Sequence, residues 1–125
     1  MRWLPVPLVG LMHHSLILEH GGARGVRDAV QLSAALARPR NLYAYESADV
    51  YRLAAAYAFG IARNHPFVDG NKRTALMAMY TFLRLNGVQL GAREEDAYLT
   101  MMQVAEGALT EPELAAWIKQ HSQAP

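Results

Sequence analysis

Cysteine is absent from this sequence of 125 residues, and neither sign of charge dominates it. Without cysteine the chain can form no disulfide and no thiolate metal site, so we expect a reducing, cytoplasmic compartment. Twelve basic and eleven acidic residues leave a net charge of +1, too small for a protein that binds nucleic acid by neutralising phosphates. We therefore expect no direct nucleic-acid partner.

Long apolar runs are also missing, and none is long enough to cross a membrane. The run from Trp3 to Met12 contains Pro5, Pro7 and Gly10 and is followed by no small-residue cleavage site. It therefore predicts the start of a core-packing helix rather than a signal peptide. No repeat, low-complexity tract or linker divides the chain, and 52% of its residues are hydrophobic, which predicts a single globular domain over residues 1–125.

Helix-capping residues and helical spacing predict an all-α fold of about six helices. The predicted helices run from about Pro7 to His20, from Asp28 to before Pro39, from Ser47 to Asn64 or His65, from Gly70 or Asn71 to Asn86, from Arg93 to Glu106, and from Thr110 to His121. Two short stretches could be extended: Arg40–Glu46, where tyrosines alternate, and Val88–Leu90.

The stretch HPFVDGNKRTAL, from His65 to Leu76, concentrates polar chemistry between the third and fourth helices. The free N–H groups of a helix N-terminus bind phosphate, and Gly70 would let a ligand approach the backbone closely. Lys72 and Arg73 add positive charge, and Asn71 could bond phosphate or orient the loop. Asp69 offers an oxygen ligand for magnesium shared with phosphate oxygens. His65 has an ordinary pKa of about 6.5, which suits a general base at neutral pH.

Each of these residues alone has a common structural role, such as a helix cap or a solvated charge. Their combination at a helix start instead predicts phosphoryl or nucleotidyl transfer, with Mg²⁺ as the implied cofactor. His65, Asp69, Lys72 and Arg73 are the predicted catalytic residues, and Gly70, Asn71, Lys72 and Arg73 the predicted phosphate-binding residues. No His-x-x-x-His pair with an intervening acid is present, which argues against a catalytic zinc site.

The nine residues HPFVDGNKR resemble the Fic/Doc motif, H-P-F-x-D/E-G-N-x-R. Nucleotidylating Fic proteins usually have Gly where this chain has Lys72, and a second Arg where it has Leu76. The string NKRTAL is instead similar to the Doc (death-on-curing) branch. HGGARGVRD at 20–28, YAYE at 43–46, ARNHPF at 62–67 and FLRLNGVQL at 82–90 are similar to Doc as well.

This resemblance implies a compact Fic/Doc helical domain with a short extended flap, and a bacterial cytoplasmic toxin that a Phd-like antitoxin silences. It further implies a kinase that uses ATP to phosphorylate a hydroxyl of elongation factor Tu and blocks translation. The flap, on which family members dock the target chain as an added strand, would be Leu42, Tyr43, Ala44 and Tyr45.

Two alternative functions remain open. Pro66 and Gly70 are choices typical of Fic proteins, so AMP transfer to a target hydroxyl is the alternative chemistry. The alternative that is not an enzyme is a catalytically silent helical module that binds a partner. Ser15–Glu19 also fits the first five positions of the inhibitory helix of Fic proteins, but His20 follows in place of Gly or Asn, and we expect Ser15 and Glu19 to face solvent.

Overall fold

The computed structural model describes residues 1–123, which form six helices and one two-stranded sheet. The elements are α1 (Val6–His20), α2 (Ala29–Glu46), α3 (Val50–Asn64), α4 (Asn71–Leu85), β1 (Gln89–Leu90), α5 (Glu94–Glu106), α6 (Glu111–Gln120) and β2 (Ser122–Gln123). The predicted all-α class and the number of helices are confirmed. No helix in this part of the chain is long and apolar enough to span a membrane.

Helix α3 is the centre of the core. Its apolar stripe is almost fully buried and packs against α2, α4, α5 and α6. The buried side chains at helical spacing are Leu53, Ala54, Tyr57, Ala58 and Ile61. Small residues let α2 approach closely, since a Cβ added at Gly60 would lie 2.9 Å from the Cβ of Ala35. The C-terminal end of α3 and the start of α4 are therefore held by a rigid centre.

Local capping explains most helix ends. Asp28, where the sequence predicted the second helix to begin, caps α2 by accepting from the N–H of Gln31, and its own N–H donates to Pro66 O at 3.0 Å. Thr110 and Glu113 form a complete capping box at the predicted start of α6. Gly107, at a φ of 81°, ends α5.

The second helix does not end before Pro39, and the predicted extended flap is wrong. Helix α2 continues through Pro39 to Glu46, so Leu42, Tyr43, Ala44 and Tyr45 are helical. Proline inside a helix removes one backbone hydrogen bond, but Pro39 is buried together with Ala35 and Leu36, and α2 packs along α3. Trp3 packs edge-on against Tyr43 at 5.6 Å. These contacts favour the helix over the extended form that the sequence suggested.

Extended backbone lies elsewhere in the molecule. β1, within the predicted Val88–Leu90 stretch, pairs antiparallel with β2, which the sequence did not predict. Val26 forms an isolated antiparallel bridge with Phe67, and the N–H of Val68 donates to Gly25 O at 3.0 Å. The segment 21–28 therefore lies along the loop between α3 and α4.

Candidate functional site

The motif loop, residues 65–70, joins the C-terminus of α3 to the N-terminus of α4, where the sequence placed it. His65 ends α3 in the left-handed conformation, with φ 50° and ψ 58°. Arg27 donates from Nε to His65 O at 2.6 Å and from Nη2 to Asn64 O at 2.7 Å. These are carbonyls at a helix end, which have no intrahelical partner. The backbone that carries His65 is thus held from the segment 21–28.

Asn71 fixes the middle of the motif loop. Its Oδ1 accepts from the N–H of Phe67 and its Nδ2 donates to Phe67 O, both at 2.9 Å. The side chain of Phe67 is buried. Of the two roles predicted for Asn71, the structure therefore shows the orienting one, and its part in phosphate binding stays a prediction.

His13, on α1, anchors the same loop. Its Nε2 lies 2.8 Å from Asp69 O, and its ring stacks on Phe67 at 3.9 Å between centroids. The side chain is buried. The sequence did not single out His13, although it shares a helix face with Val9, Leu16 and Ile17, and that position would have predicted its burial.

Asp69 presents an exposed carboxylate. Its Oδ1 accepts from the N–H of Gly70 at 2.8 Å and its Oδ2 from the N–H of Ala23 at 3.3 Å. No group of three or more His, Asp or Glu side chains that could hold a metal occurs among residues 1–123. Magnesium is often held by one or two carboxylates together with water and substrate phosphates. The donor set therefore fits Mg²⁺ shared with phosphate and does not provide an all-protein metal cage.

Gly70 is the N-cap of α4, at a φ of 74° that favours glycine. The close approach predicted at Gly70 is made by the protein itself, since an added Cβ would lie 3.1 Å from Ile17 Cδ1. Within the part of the chain the structure covers, no side chain caps this helix end. The first-turn N–H groups of α4 therefore remain available to an anion.

The environment of His65 favours a neutral imidazole. Burial lowers the pKa of His65 from its ordinary value of 6.5, and the positive charges of Lys72, Arg27 and Arg63 lower it further. A neutral imidazole at neutral pH can accept a proton from a hydroxyl group. Lys72 therefore acts electrostatically on His65, and the catalytic roles of both residues stay predictions.

Arg73 points to a different side of α4 from Lys72. Consecutive residues of a helix lie about 100° apart, and Arg73 is not among the charges that shift the His65 pKa. Its guanidinium lies 4.9 Å from the ring centroid of Tyr98 on α5. It lines an open groove of about 590 Å³ between α1, α4 and α5, together with Leu16 and Leu76. The two predicted cations thus flank the start of α4 rather than forming one cluster.

Comparison with known proteins gives the same family as the motif. The sequence model described as "Fic/DOC family" matches residues 3–83, which include the whole motif loop. The chain is 40% identical over 98 residues to the "Protein kinase doc" of Escherichia phage P1, covering 78% of this chain and 77% of that protein. It is 50% identical over 74 residues to the "Toxin Doc" of Mycolicibacterium smegmatis, covering 58% of this chain and 57% of that protein.

Proposed function

Since the chain belongs to the Fic/Doc family, we propose that it is a Doc-type toxin of a bacterial toxin–antitoxin pair and acts as an ATP-dependent protein kinase. One observation carries this proposal: a histidine with a lowered pKa ends α3 across the motif loop from the uncapped start of α4, with Lys72 acting on it. The names of the two relatives, a protein kinase and a toxin, support both halves of the proposal.

The proposed reaction transfers the γ-phosphoryl group of ATP to a serine or threonine hydroxyl of a protein. His65 takes the proton of the acceptor hydroxyl while its oxygen forms a bond to the γ-phosphorus. The bond from that phosphorus to the bridging oxygen breaks, and ADP leaves. The N–H groups at the start of α4, with Lys72 and Arg73, would bind phosphate oxygens. Asp69 would hold Mg²⁺, which supplies positive charge against the phosphate oxygens.

Two side chains favour a kinase over an AMP transferase. Lys72 stands where nucleotidylating Fic proteins have glycine, and its charge acts on His65. Leu76 stands where they have a second arginine, and it is buried, with 8% of its surface exposed. A buried leucine supplies no charge to hold ATP in the orientation that presents the α-phosphate. We therefore propose that the γ-phosphate faces the acceptor.

The docking role expected of a flap falls, in this proposal, to Gly25 and Val26 rather than to residues 42–45. These residues are the ones that bridge to the motif loop through Val26 and Phe67. A target chain could add to them as a further strand, which places its hydroxyl near His65. The proposed target is elongation factor Tu, and the proposed silencing partner is a Phd-like antitoxin.

Induced expression in bacteria tests the toxin proposal. We expect the parent chain to stop growth and the incorporation of labelled amino acids, and His65→Ala to do neither. His14→Ala is the matched control, because His14 is exposed on α1, and it should remain toxic. Co-expression of a Phd-like antitoxin should restore growth. A His65→Ala variant as toxic as the parent would instead favour the silent partner-binding module.

A further inference from the structure

The segment 21–28 approaches the motif loop with a guanidinium that no part of the proposed reaction uses. Arg27 donates to the carbonyls of Asn64 and His65 through two different nitrogens, at 2.7 and 2.6 Å. Its own backbone N–H donates to Pro66 O at 2.8 Å. Three consecutive carbonyls, those of residues 64, 65 and 66, therefore accept hydrogen bonds from one residue that lies 38 positions away from His65.

The Arg27 guanidinium binds the backbone at a residue whose own conformation is unfavourable, His65. A residue other than glycine at φ 50° lies in the left-handed region, which most side chains avoid. The conformation matters, because it sets the direction in which the His65 side chain leaves the end of α3. The N–H of His65 donates to Ile61 O at 3.3 Å, which is long for a backbone hydrogen bond.

We propose that Arg27 is a positioning residue for His65: its guanidinium clamps the last carbonyls of α3, orients the imidazole and places a fixed positive charge beside it. The inference rests on the proposed function, in which His65 is the base. Arg27 itself touches neither ATP nor the acceptor in this account.

The positive charge of Arg27 affects the pKa of His65, whereas its hydrogen bonds affect the position of His65, and the two effects can be separated. The charged groups that act on His65 are Lys72 from α4, Arg27 from the segment 21–28 and Arg63 from α3, all of them positive. Each keeps the imidazole neutral, and so available as a base, to lower pH. Lysine at position 27 would keep the charge, but a single ammonium cannot reproduce the planar two-nitrogen fork.

Four variants separate these effects. Arg27→Met removes both the clamp and the charge, and Arg27→Lys removes mainly the clamp. Arg84→Met is the control, because Arg84 is exposed near the end of α4 and is not among the groups that act on His65. His65→Asn identifies the His65 signal in the NMR spectrum, because that signal is missing from the spectrum of this variant. The pKa of His65 is measured by NMR titration in metal-free buffer, and kcat/KM for phosphoryl transfer as a function of pH.

We expect the pKa of His65 to rise in Arg27→Met and to stay close to the parent value in Arg27→Lys and Arg84→Met. The acid limb of kcat/KM should move to higher pH in Arg27→Met only. Transfer at neutral pH should fall about tenfold or more in both Arg27 variants, since a misplaced group can cost up to about a hundredfold.

Two results would overturn the inference: an unchanged His65 pKa in Arg27→Met, or equal transfer by the Arg27 and Arg84 variants. Absence of transfer in the parent protein would count against the proposed function instead. The NMR titration would then still decide whether Arg27 acts on His65.

Discussion

At the scale of single residues, His65 links the electrostatics of the site to the stability of the fold. Its pKa is lowered on folding, chiefly by burial and then by Lys72, so the unfolded chain binds more protons than the folded one at mildly acidic pH. This contribution to stability is therefore complete above the unfolded pKa of about 6.5 and is lost as the pH falls towards the folded value.

We expect His65→Asn to lose less stability than the parent between about pH 7.5 and pH 5.5, since it lacks this titration. Asparagine tolerates the left-handed backbone of position 65, so the turn should survive. Urea unfolding at the two pH values measures the difference, with His14→Asn as the control. Equal losses in the parent and His65→Asn would show that the His65 pKa is not lowered in the folded protein.

Gly22 tests the position of Asp69. A Cβ at Gly22 would lie 2.6 Å from Asp69 Oδ2, whereas one at Gly21 would meet nothing within 4 Å. Both glycines have positive φ, so alanine is strained at either position, at a cost of about 1–2 kcal/mol. Only Gly22→Ala should also displace the carboxylate proposed to hold Mg²⁺.

We therefore expect Gly22→Ala to lower transfer by about tenfold or more and to raise the Mg²⁺ concentration needed for half-maximal transfer. Gly21→Ala should stay close to the parent in both respects. The measurement is the transfer rate over a magnesium titration. The same magnesium requirement in both variants would argue against Asp69 as the metal ligand.

The sequence could predict contacts between residues that are close along the chain, but not contacts between residues far apart along it. His65, Asp69 and Asn71 lie within seven consecutive residues, so a local pattern was enough to predict that they lie together. His13 contacts Asp69 across 56 positions, and Arg27 contacts His65 across 38. No local pattern encodes such pairs, because they exist only once α1 and the segment 21–28 pack onto the loop.

At the scale of elements, three helix ends set by local caps agree with the sequence. The start of α3, predicted at Ser47, instead follows the cap Asp49, and the end of α2, set by packing, also differs. Asp28, Thr110 and Gly107 each mark an end through contacts within a few residues. Pro39 was expected to end α2 for an equally local reason. The helix continues because packing on α3 and against Trp3 outweighs one lost hydrogen bond.

The contact of α2 with α3 makes a prediction at this scale. A Cβ at Gly60 would lie 2.9 Å from the Cβ and 3.2 Å from the Cα of Ala35. Overpacking typically costs about 1–3 kcal/mol, more than the roughly 0.5–1 kcal/mol that alanine gains over glycine in a helix. We expect Gly60→Ala to lower the free energy of unfolding.

Gly10→Ala is the control for Gly60→Ala. Gly10 lies in α1 with nothing within 4 Å of an added Cβ, so the change should stabilise the protein by about 0.5–1 kcal/mol. Denaturant midpoints measure both effects. If Gly60→Ala were stabilising as well, α2 and α3 would not be in the close contact described here.

At the scale of the whole molecule, three separate parts of the chain converge on the motif loop. α1 contributes His13, the segment 21–28 contributes Arg27 and Ala23, and α4 contributes Asn71 and Lys72. The all-α class and six helices followed from spacing and caps. The pairing of β1 with β2 and the bridge of Val26 to Phe67 did not, since such short pairings depend on tertiary contacts.

The central claim is that this assembly transfers the γ-phosphoryl group of ATP. The most direct test supplies ATP labelled at the α or the γ position to the purified protein with magnesium and elongation factor Tu. His65→Ala is the inactive control and His14→Ala the matched active one. We expect label on the target from γ-labelled ATP only, with none in His65→Ala. Label from α-labelled ATP would make the protein an AMP transferase and contradict the orientation inferred from Lys72 and Leu76.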